Sequence, residues 1–380
     1  MSKKKLFLIH NHKNFSGAAR SLGENIIRLK KKVEFIIICP RGTSSKFFKS
    51  LNVKVIEIKF VPRFNHFEIG FYKGLRWLIL LRELVAFVYF TLFLIKLKKN
   101  YSIIERIHLN ELELIIVAPL IKFFFNSIIS SHLRSPLETN KGKKRYNFVK
   151  YLCKIYLKNI ISIDNDCYKT SPLKNITKVI YNGINLKNIN IKNNKKKILT
   201  FGFIGNFIKR KGIFETLAIF KKINKKHKVN LICVGKIEKT NYLLNFFKYE
   251  VNFETYIKNN HIDKEKNIKI LPMTFNLKNF YSNIDVVLFP SHMNAVGRPV
   301  IEASCIKKPA IIALKKHNND TAMKNNCLIF KPGNLRSYEK KILYFINNRD
   351  KIDSLGMSAY RNAKNKFDIV ANSRKFLKLI

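Results

Sequence analysis

Residues Val286–Ile312 read V-V-L-F-P-S-H-M-N-A-V-G-R-P-V-I-E-A-S-C-I-K-K-P-A-I-I. The apolar run Val286–Phe289 stops at Pro290-Ser291, as a buried parallel strand does. A polar loop follows, through His292, Asn294, Gly297 and Arg298. Helical spacing then runs from Val300 to Ile306 with Glu302 near its start. Lys307-Lys308-Pro309 stops it, and Ala310–Ala313 opens another strand. A strand, loop, helix and strand in this order gather their polar residues at the carboxyl end of the first strand. In open α/β sheets that end is where ligands bind. A helix amino terminus there favours an anion, and a carboxylate such as Glu302 can accept from sugar hydroxyls. A plain helix cap is the alternative role for Glu302.

The same alternation extends in both directions. Apolar runs at Leu6–Ile9, Val33–Cys39, Val53–Phe60, Ile103–Ile107, Ser127–Leu133, Ile160–Ile163 and Lys178–Tyr181 alternate with helical segments. Ile198–Ile204, Val229–Val234, Ile268–Leu271 and Cys327–Phe330 continue the series. Strands separated by helices predict doubly wound parallel sheets. Two places have turn chemistry suited to a ligand. After Leu6–Ile9, the loop His10–Ser16 leads into Gly17-Ala18-Ala19, which opens a helix. After Ile198–Ile204, Gly205 and Asn206 lead through Lys209-Arg210-Lys211 to Gly212. Small residues let a ligand approach the backbone, and lysine supplies charge to a diphosphate.

The stretch 286–312 resembles the signature of the group-one retaining glycosyltransferases, a family with the two-domain GT-B fold. There Pro-Ser precedes a Glu, then seven residues, then a second Glu. Glu302 stands at the second position. Asn294 stands at the first, where the family's carboxylate faces the sugar, so a neutral amide replaces it. The block N-A-V-G-R-P-V-I-E-A is similar to that of members acting in bacterial surface-polysaccharide synthesis. Ser16-Gly17 resembles the family's Gly-Gly loop. Gly205 to Gly212 resembles its Gly-Arg…Lys-Gly loop, with Lys211 at the Lys and Asn206 in place of the Arg. Lys209 or Arg210 is the cation at hand to compensate.

The resemblance implies two doubly wound Rossmann-like α/β domains facing a central cleft. The expected boundaries are 1–185 for the acceptor-side domain, 186–197 for a linker, 198–360 for the nucleotide-sugar domain, and 361–380 for a terminal helix returning to the first domain. It further implies retaining, metal-independent transfer from a nucleotide-diphosphate sugar to a glycan or lipid-linked acceptor, without a cofactor. Glu302 is expected at the ribose, and Lys211 with backbone amides near Val300 and Ile301 at the departing diphosphate. Gly17, Gly205, Asn206, Arg210, Gly297 and Arg298 complete the donor side. His132, at the end of its strand, is expected to contact the transferred sugar. A core histidine is the alternative. His108, Asn110 and Arg134 are expected on the acceptor side. A sugar-nucleotide epimerase of the same fold, or a polyanion-binding protein that has lost catalysis, are the competing readings.

Composition frames these expectations. A chain of 380 residues suits two domains. The formal charge of +49 favours anionic partners, and an anionic membrane surface is expected rather than nucleic acid. Phe71–Leu97 is the most apolar stretch. Arg82 and Glu83 break it, leaving about a dozen residues free of charge where a spanning helix needs about 20. It reads as a helix buried in the first domain, as one whose apolar face lies in a membrane surface, or as a spanning helix. The start M-S-K-K-K-L-F-L-I-H-N reads as a first strand, not a signal peptide. The expected location is cytoplasmic, at the inner face of the membrane. Six cysteines without a C-x-x-C pair read as small buried hydrophobes. Asp164-Asn165-Asp166 is expected to cap a helix rather than bind metal. Asn140–Tyr146 reads as a basic mobile loop.

Overall fold

The computed structural model describes residues 4–67, 78–140, 142–185, 197–237, 252–274, 277–292, 296–317, 320–321 and 324–380. The chain divides into two compact units. One comprises Met1–Gly183 with Asp368–Ile380, the other Ile184–Phe367.

In unit 1 the strands are β1 (Lys4–Ile9), β2 (Val33–Pro40), β3 (Lys54–Ile58), β4 (Arg106–Leu109), β5 (Ile128–Leu133), β6 (Leu157–Ser162) and β7 (Thr177–Val179). They form one parallel sheet in the order β3-β2-β1-β4-β5-β6-β7. The helices between them are α1 (Gly17–Leu29), α2 (Thr43–Lys49), α3 (Ile79–Asn100), α4 (Ala118–Phe125), α5 (Lys143–Tyr156) and α6 (Asn165–Lys169). Two cores cover the two faces. One joins α3, α4 and α5 to the sheet through Phe90, Leu94, Ile121 and Leu152. The other joins α1 and α2 through Leu22, Ile26 and Phe48. Strands buried on both faces must be apolar almost throughout, which is why these runs stand out in the sequence.

Unit 2 repeats the plan with β8 (Thr200–Ile204), α7 (Ile213–Ile223), β9 (Asn230–Gly235), α8 (Phe253–Asn259), β10 (Ile268–Pro272), α9 (Lys278–Ser282), β11 (Val286–Phe289), α10 (Arg298–Cys305), β12 (Ala310–Ala313), β13 (Cys327–Phe330), α11 (Leu335–Asn347) and α12 (Asp350–Lys366). Its parallel sheet runs β10-β9-β8-β11-β12-β13. Asp285 fixes β11 against β8: its amide donates to Thr200 O at 2.7 Å and its carboxylate accepts from Thr200 N at 2.8 Å. The last helix, α13 (Ile369–Leu379), belongs to unit 1. It is capped by Asp368 and packs on α1, sending Phe376 into the core with Leu22 and Ile161. The returning helix thus begins at Ile369, while Arg361 lies in α12 of unit 2.

Three expectations need correction or placing. The expected basic loop Asn140–Tyr146 is helical from Lys143 on, because α5 begins there behind Gly142, which takes the left-handed conformation at φ 66°. The strand expected over 103–107 begins at Arg106 and runs to Leu109, so His108 lies within it. The expected linker 186–197 lies outside the described residues except for Lys197, as does the part of the apolar stretch before Leu78. Asp164 does cap α6, accepting from Cys167 N at 2.7 Å. All six cysteines are buried, and none is in a disulfide. Burial pushes the thiols of Cys39, Cys153, Cys305 and Cys327 up to about 12.

Candidate functional site

Each sheet reverses its strand order once, between β1 and β4 in unit 1 and between β8 and β11 in unit 2. Such switch points open a crevice at the carboxyl ends of the strands. In unit 2 that crevice is bounded by the loop after β8 and the loop after β11. The first carries a 3-10 turn, Lys209–Lys211, closed by Gly212. Gly212 sits at φ +77°, and a Cβ there would come within 2.4 Å of Pro290 O. Only glycine lets the two loops approach this closely. They are then tied: His292 N donates to Arg210 O at 3.0 Å, and His292 Nε2 meets Glu215 Oε1 at 3.2 Å. Lys211 is thereby held with its Nζ 5.9 Å from the centre of the Phe289 ring, at the end of β11. Lys209 and Arg210 are exposed on the same turn.

Helix α10 starts beside this turn. Gly297 precedes it, packed so tightly on the Phe289 ring that a Cβ would lie 2.2 Å away. Pro299 in the first turn suits a helix start, where its missing N–H costs nothing. Arg298 and Glu302, one turn apart, form a buried pair at 2.7 Å. The other Glu302 oxygen accepts from the Tyr281 hydroxyl of α9. The carboxylate is therefore fixed in one orientation. Tyr281 was not legible as a site residue, because nothing in the spacing of a five-residue helix marks it. The Val300 amide donates to Gly297 O at 3.0 Å, within the turn. Gly205 N donates to Val234 O, and Asn206 O accepts from Ile208 N, so these residues shape the β8 loop. Asn294 lies outside the described residues.

In unit 1 the crevice is lined differently. Asn110, just after β4, links two strands: its side-chain amide donates to His10 Nδ1 at 2.9 Å. Arg134, just after β5, donates to Asn110 O at 2.8 Å, to Asn110 Oδ1 at 2.7 Å and to Asn182 Oδ1 at 3.2 Å. His12, Glu111 and Glu113 stand close by. Asn11 donates to Glu113, and Arg63 approaches Glu113 at 3.8 Å. Burial, more than the Arg134 charge opposes it, pushes the Glu111 carboxyl up to about 8. Burial, then Arg63 and Arg134, draws His12 down to about 4. His10 is lowered further, by burial, His12 and Arg134. Gly17 begins α1 behind its Ser16 cap, with open space where a Cβ would be.

Reading single residues missed His10, His12, Glu111 and Glu113. Their signal was two histidines directly after an apolar strand, and two carboxylates in the apolar stretch Leu109–Ile116. His108 and His132 stand apart from this crevice wall. Alternation along β4 and β5 turns both toward α13. His108 Nε2 meets His132 Nδ1 at 2.6 Å, and His108 Nδ1 meets Ser130 Oγ at 2.8 Å. Phe376 stacks on His132, with ring centres 5.4 Å apart. Burial and the Arg134 charge lower His108 to about 3, and hold His132 well below its ordinary value. Both rings are therefore neutral.

Comparison with known proteins places this geometry. Residues 185–364 match the family "Glycosyl transferases group 1". The chain is 28% identical over 197 residues to the capsular polysaccharide biosynthesis glycosyltransferase CapM of Staphylococcus aureus, covering 49% of each chain. It is 30% identical over 151 residues to CapH of the same organism, covering 39% of each. It thus spans about half the length or less of the curated relatives it matches. Among solved structures, HepE of Anabaena, in complex with UDP and glucose, superposes with a TM-score of 0.73 at 15% identity over 99% of both chains. A variant of TarM of S. aureus, solved with fondaparinux, α-GlcNAc-glycerol and UDP, gives a TM-score of 0.67 at 13% identity over 99% of both. The fold is GT-B, and residues 185–364, nearly all of the carboxyl-terminal unit, carry the match to the group 1 glycosyl transferases.

Proposed function

We propose that this protein transfers a sugar, with retention, from a nucleotide-diphosphate donor to a glycan or lipid-linked acceptor in surface-polysaccharide synthesis. The observation that carries the reading is the unit 2 switch point, where Lys211 stands with its Nζ 5.9 Å from the Phe289 ring centre at the end of β11, and the following helix α10 carries the oriented, buried Glu302. A diphosphate leaving group develops negative charge as its bond to the anomeric carbon breaks. A fixed ammonium placed there stabilises that charge without reorganising. Glu302, oriented by Arg298 and Tyr281, accepts from the ribose hydroxyls. The acceptor oxygen bonds to the anomeric carbon on the face the diphosphate leaves, and its proton passes to the departing phosphate. Lys211 and Arg210 carry the leaving-group charge in place of a metal.

The CapM and CapH likenesses support the polysaccharide context. The UDP in the HepE and TarM structures makes uridine donors the first to try. The site of action in this reading is the inner face of the cytoplasmic membrane. The test is a thermal-shift screen of nucleotide-diphosphate sugars, followed by turnover and product anomer analysis with the donor that binds. Stabilisation by one donor, loss of at least about a hundredfold in turnover for Lys211→Ala, and no change on adding EDTA are expected. An inverted product, or full activity in Lys211→Ala, overturns the mechanism.

A further inference from the structure

Helix α3 is apolar on both sides. Its inner side, Ala86, Phe90, Leu94 and Leu97, is buried in the unit 1 core. Its outer side carries a second row, Leu81, Leu84, Val85, Val88, Leu92 and Ile95. The spacing is that of one helix face, and Leu81, Leu84 and Val88 are 62%, 66% and 62% exposed. Burying such side chains is favourable by about 1.5–3 kcal/mol each, so an outer row with no polar interruption is built to be covered. The row does not stand alone. α4 packs against α3, and α5 against α4, on the same face of the sheet. The outer side of α5 adds Phe148, Tyr151 and Ile155, all about half exposed or more. Beside them along α5 runs a row of Lys143, Lys150 and Lys154, and Lys96, Lys98 and Lys99 end α3.

The charges decide what covers this face. Glu83 is the one acidic residue within α3, α4 and α5, and it points inward, accepting from Arg63 N at 3.0 Å. Every exposed charge on the three helices is basic. A second copy of a chain carrying +49 would bring the same charges against this face. An anionic lipid surface instead supplies an apolar interior for the leucine row and phosphates for the lysines. Among the described residues no helix is long and apolar enough to cross a membrane, which fits a helix lying in the interface rather than through it.

We propose that the outer face of the α3–α4–α5 layer docks this protein on an anionic lipid bilayer, with α3 lying in the plane of the interface. The inference is independent of the chemistry proposed above, because its test contains neither donor nor acceptor. The full chain is floated with vesicles of phosphatidylcholine and phosphatidylglycerol, and with phosphatidylcholine alone. The expected result is flotation with the mixed vesicles and about tenfold less with the neutral ones. Leu84→Gln/Val88→Gln/Leu92→Gln, all at outward positions, is expected to lower flotation about tenfold with unchanged melting. Lys143→Gln/Lys150→Gln/Lys154→Gln, which spares the apolar row, is expected to lower it severalfold and to flatten its salt dependence. No flotation of the parent with mixed vesicles overturns the proposal. So does equal flotation of a folded leucine-row variant, which would leave charge alone as the attraction. A parent that sediments as a dimer, and becomes monomeric in the leucine-row variant, assigns the face to a second copy instead.

Discussion

Individual titratable groups in unit 1 give this protein two opposed pH sensitivities. His108 titrates at about 3 and His12 at about 4, with His10 and His132 also lowered. In the unfolded chain each takes a proton near 6.5. Between about pH 6.5 and 4 the unfolded state therefore binds protons that the folded state refuses. Stability falls as pH falls through that window, by up to about 1.4 kcal/mol per pH unit for each histidine. Urea unfolding at pH 7, 6 and 5 reads this slope, and His108→Gln is expected to reduce it by about one proton. Glu111 works in the other direction. Its folded value of about 8 exceeds an unfolded value of 4.5. Only the unfolded state is ionised between those limits, and stability falls as pH rises through them. Glu111→Gln is expected to raise stability by about 1–2 kcal/mol at pH 8 and to leave it unchanged at pH 4. Melting at the two pH values checks this, and equal melting of variant and parent at pH 8 would show that Glu111 is ionised in the folded protein.

The elements show what a sequence discloses and what it withholds. Most strands in the described residues stand on an apolar run visible in the sequence, because a parallel strand covered on both faces favours apolar residues throughout; β5, with Ser130, Ser131 and His132, and β7, Thr177-Lys178-Val179, are more polar. The Val286–Phe289 strand and the Ala310–Ala313 strand have the bounds read from the sequence. Register was less legible. A shift of two residues in β4 moves His108 from a strand end to a strand interior, and so from an open crevice to a packed core against Phe376. The start of α5 was hidden because a Lys-rich first turn looks like a loop. In the candidate site, Lys211, Gly212 and Glu302 were legible from glycine and proline spacing, whereas their supports, Tyr281 and the His292 amide, come from elements distant in sequence.

Two element-level predictions follow from those supports. Gly212→Ala places a Cβ on Pro290 O in a left-handed conformation, and is expected to cost about 2 kcal/mol or more of unit 2 stability, measured by urea unfolding. Unchanged stability would mean the two loops separate without penalty. Arg298→Ala leaves the buried Glu302 without its cation, at an expected cost of about 3 kcal/mol. Adding Glu302→Gln removes the stranded charge, so the double variant is expected to recover part of that loss. Simple additivity in the cycle would show that the pair is not coupled.

At the scale of the molecule, two sheets of one plan differ at their switch points. Unit 2 presents a lysine turn and a preset carboxylate, while unit 1 presents neutral histidines, amides and an Arg134 fork. The two are physically separable because each sheet has its own cores, and the chain returns to unit 1 only through α13. That return is part of unit 1 rather than an appendage. Phe376 and Ile380 fill the core over α1, Ser373 Oγ donates to Asn25 Oδ1 at 2.8 Å, and Arg106 donates to Ile380 O at 2.5 Å. Removing residues 368–380 is therefore expected to lower the melting of unit 1 sharply, because two large buried side chains alone account for about 3–6 kcal/mol, and to leave the unit 2 transition in place. The same deletion uncovers His108 and His132, which lie under Phe376. Whatever part of unit 1 stays folded should then lose their acid sensitivity, since the lowered titration comes first from burial. Calorimetry of the truncated chain at pH 7 and pH 5 measures both effects. A unit 2 transition that falls with unit 1 would show that the two units unfold as one.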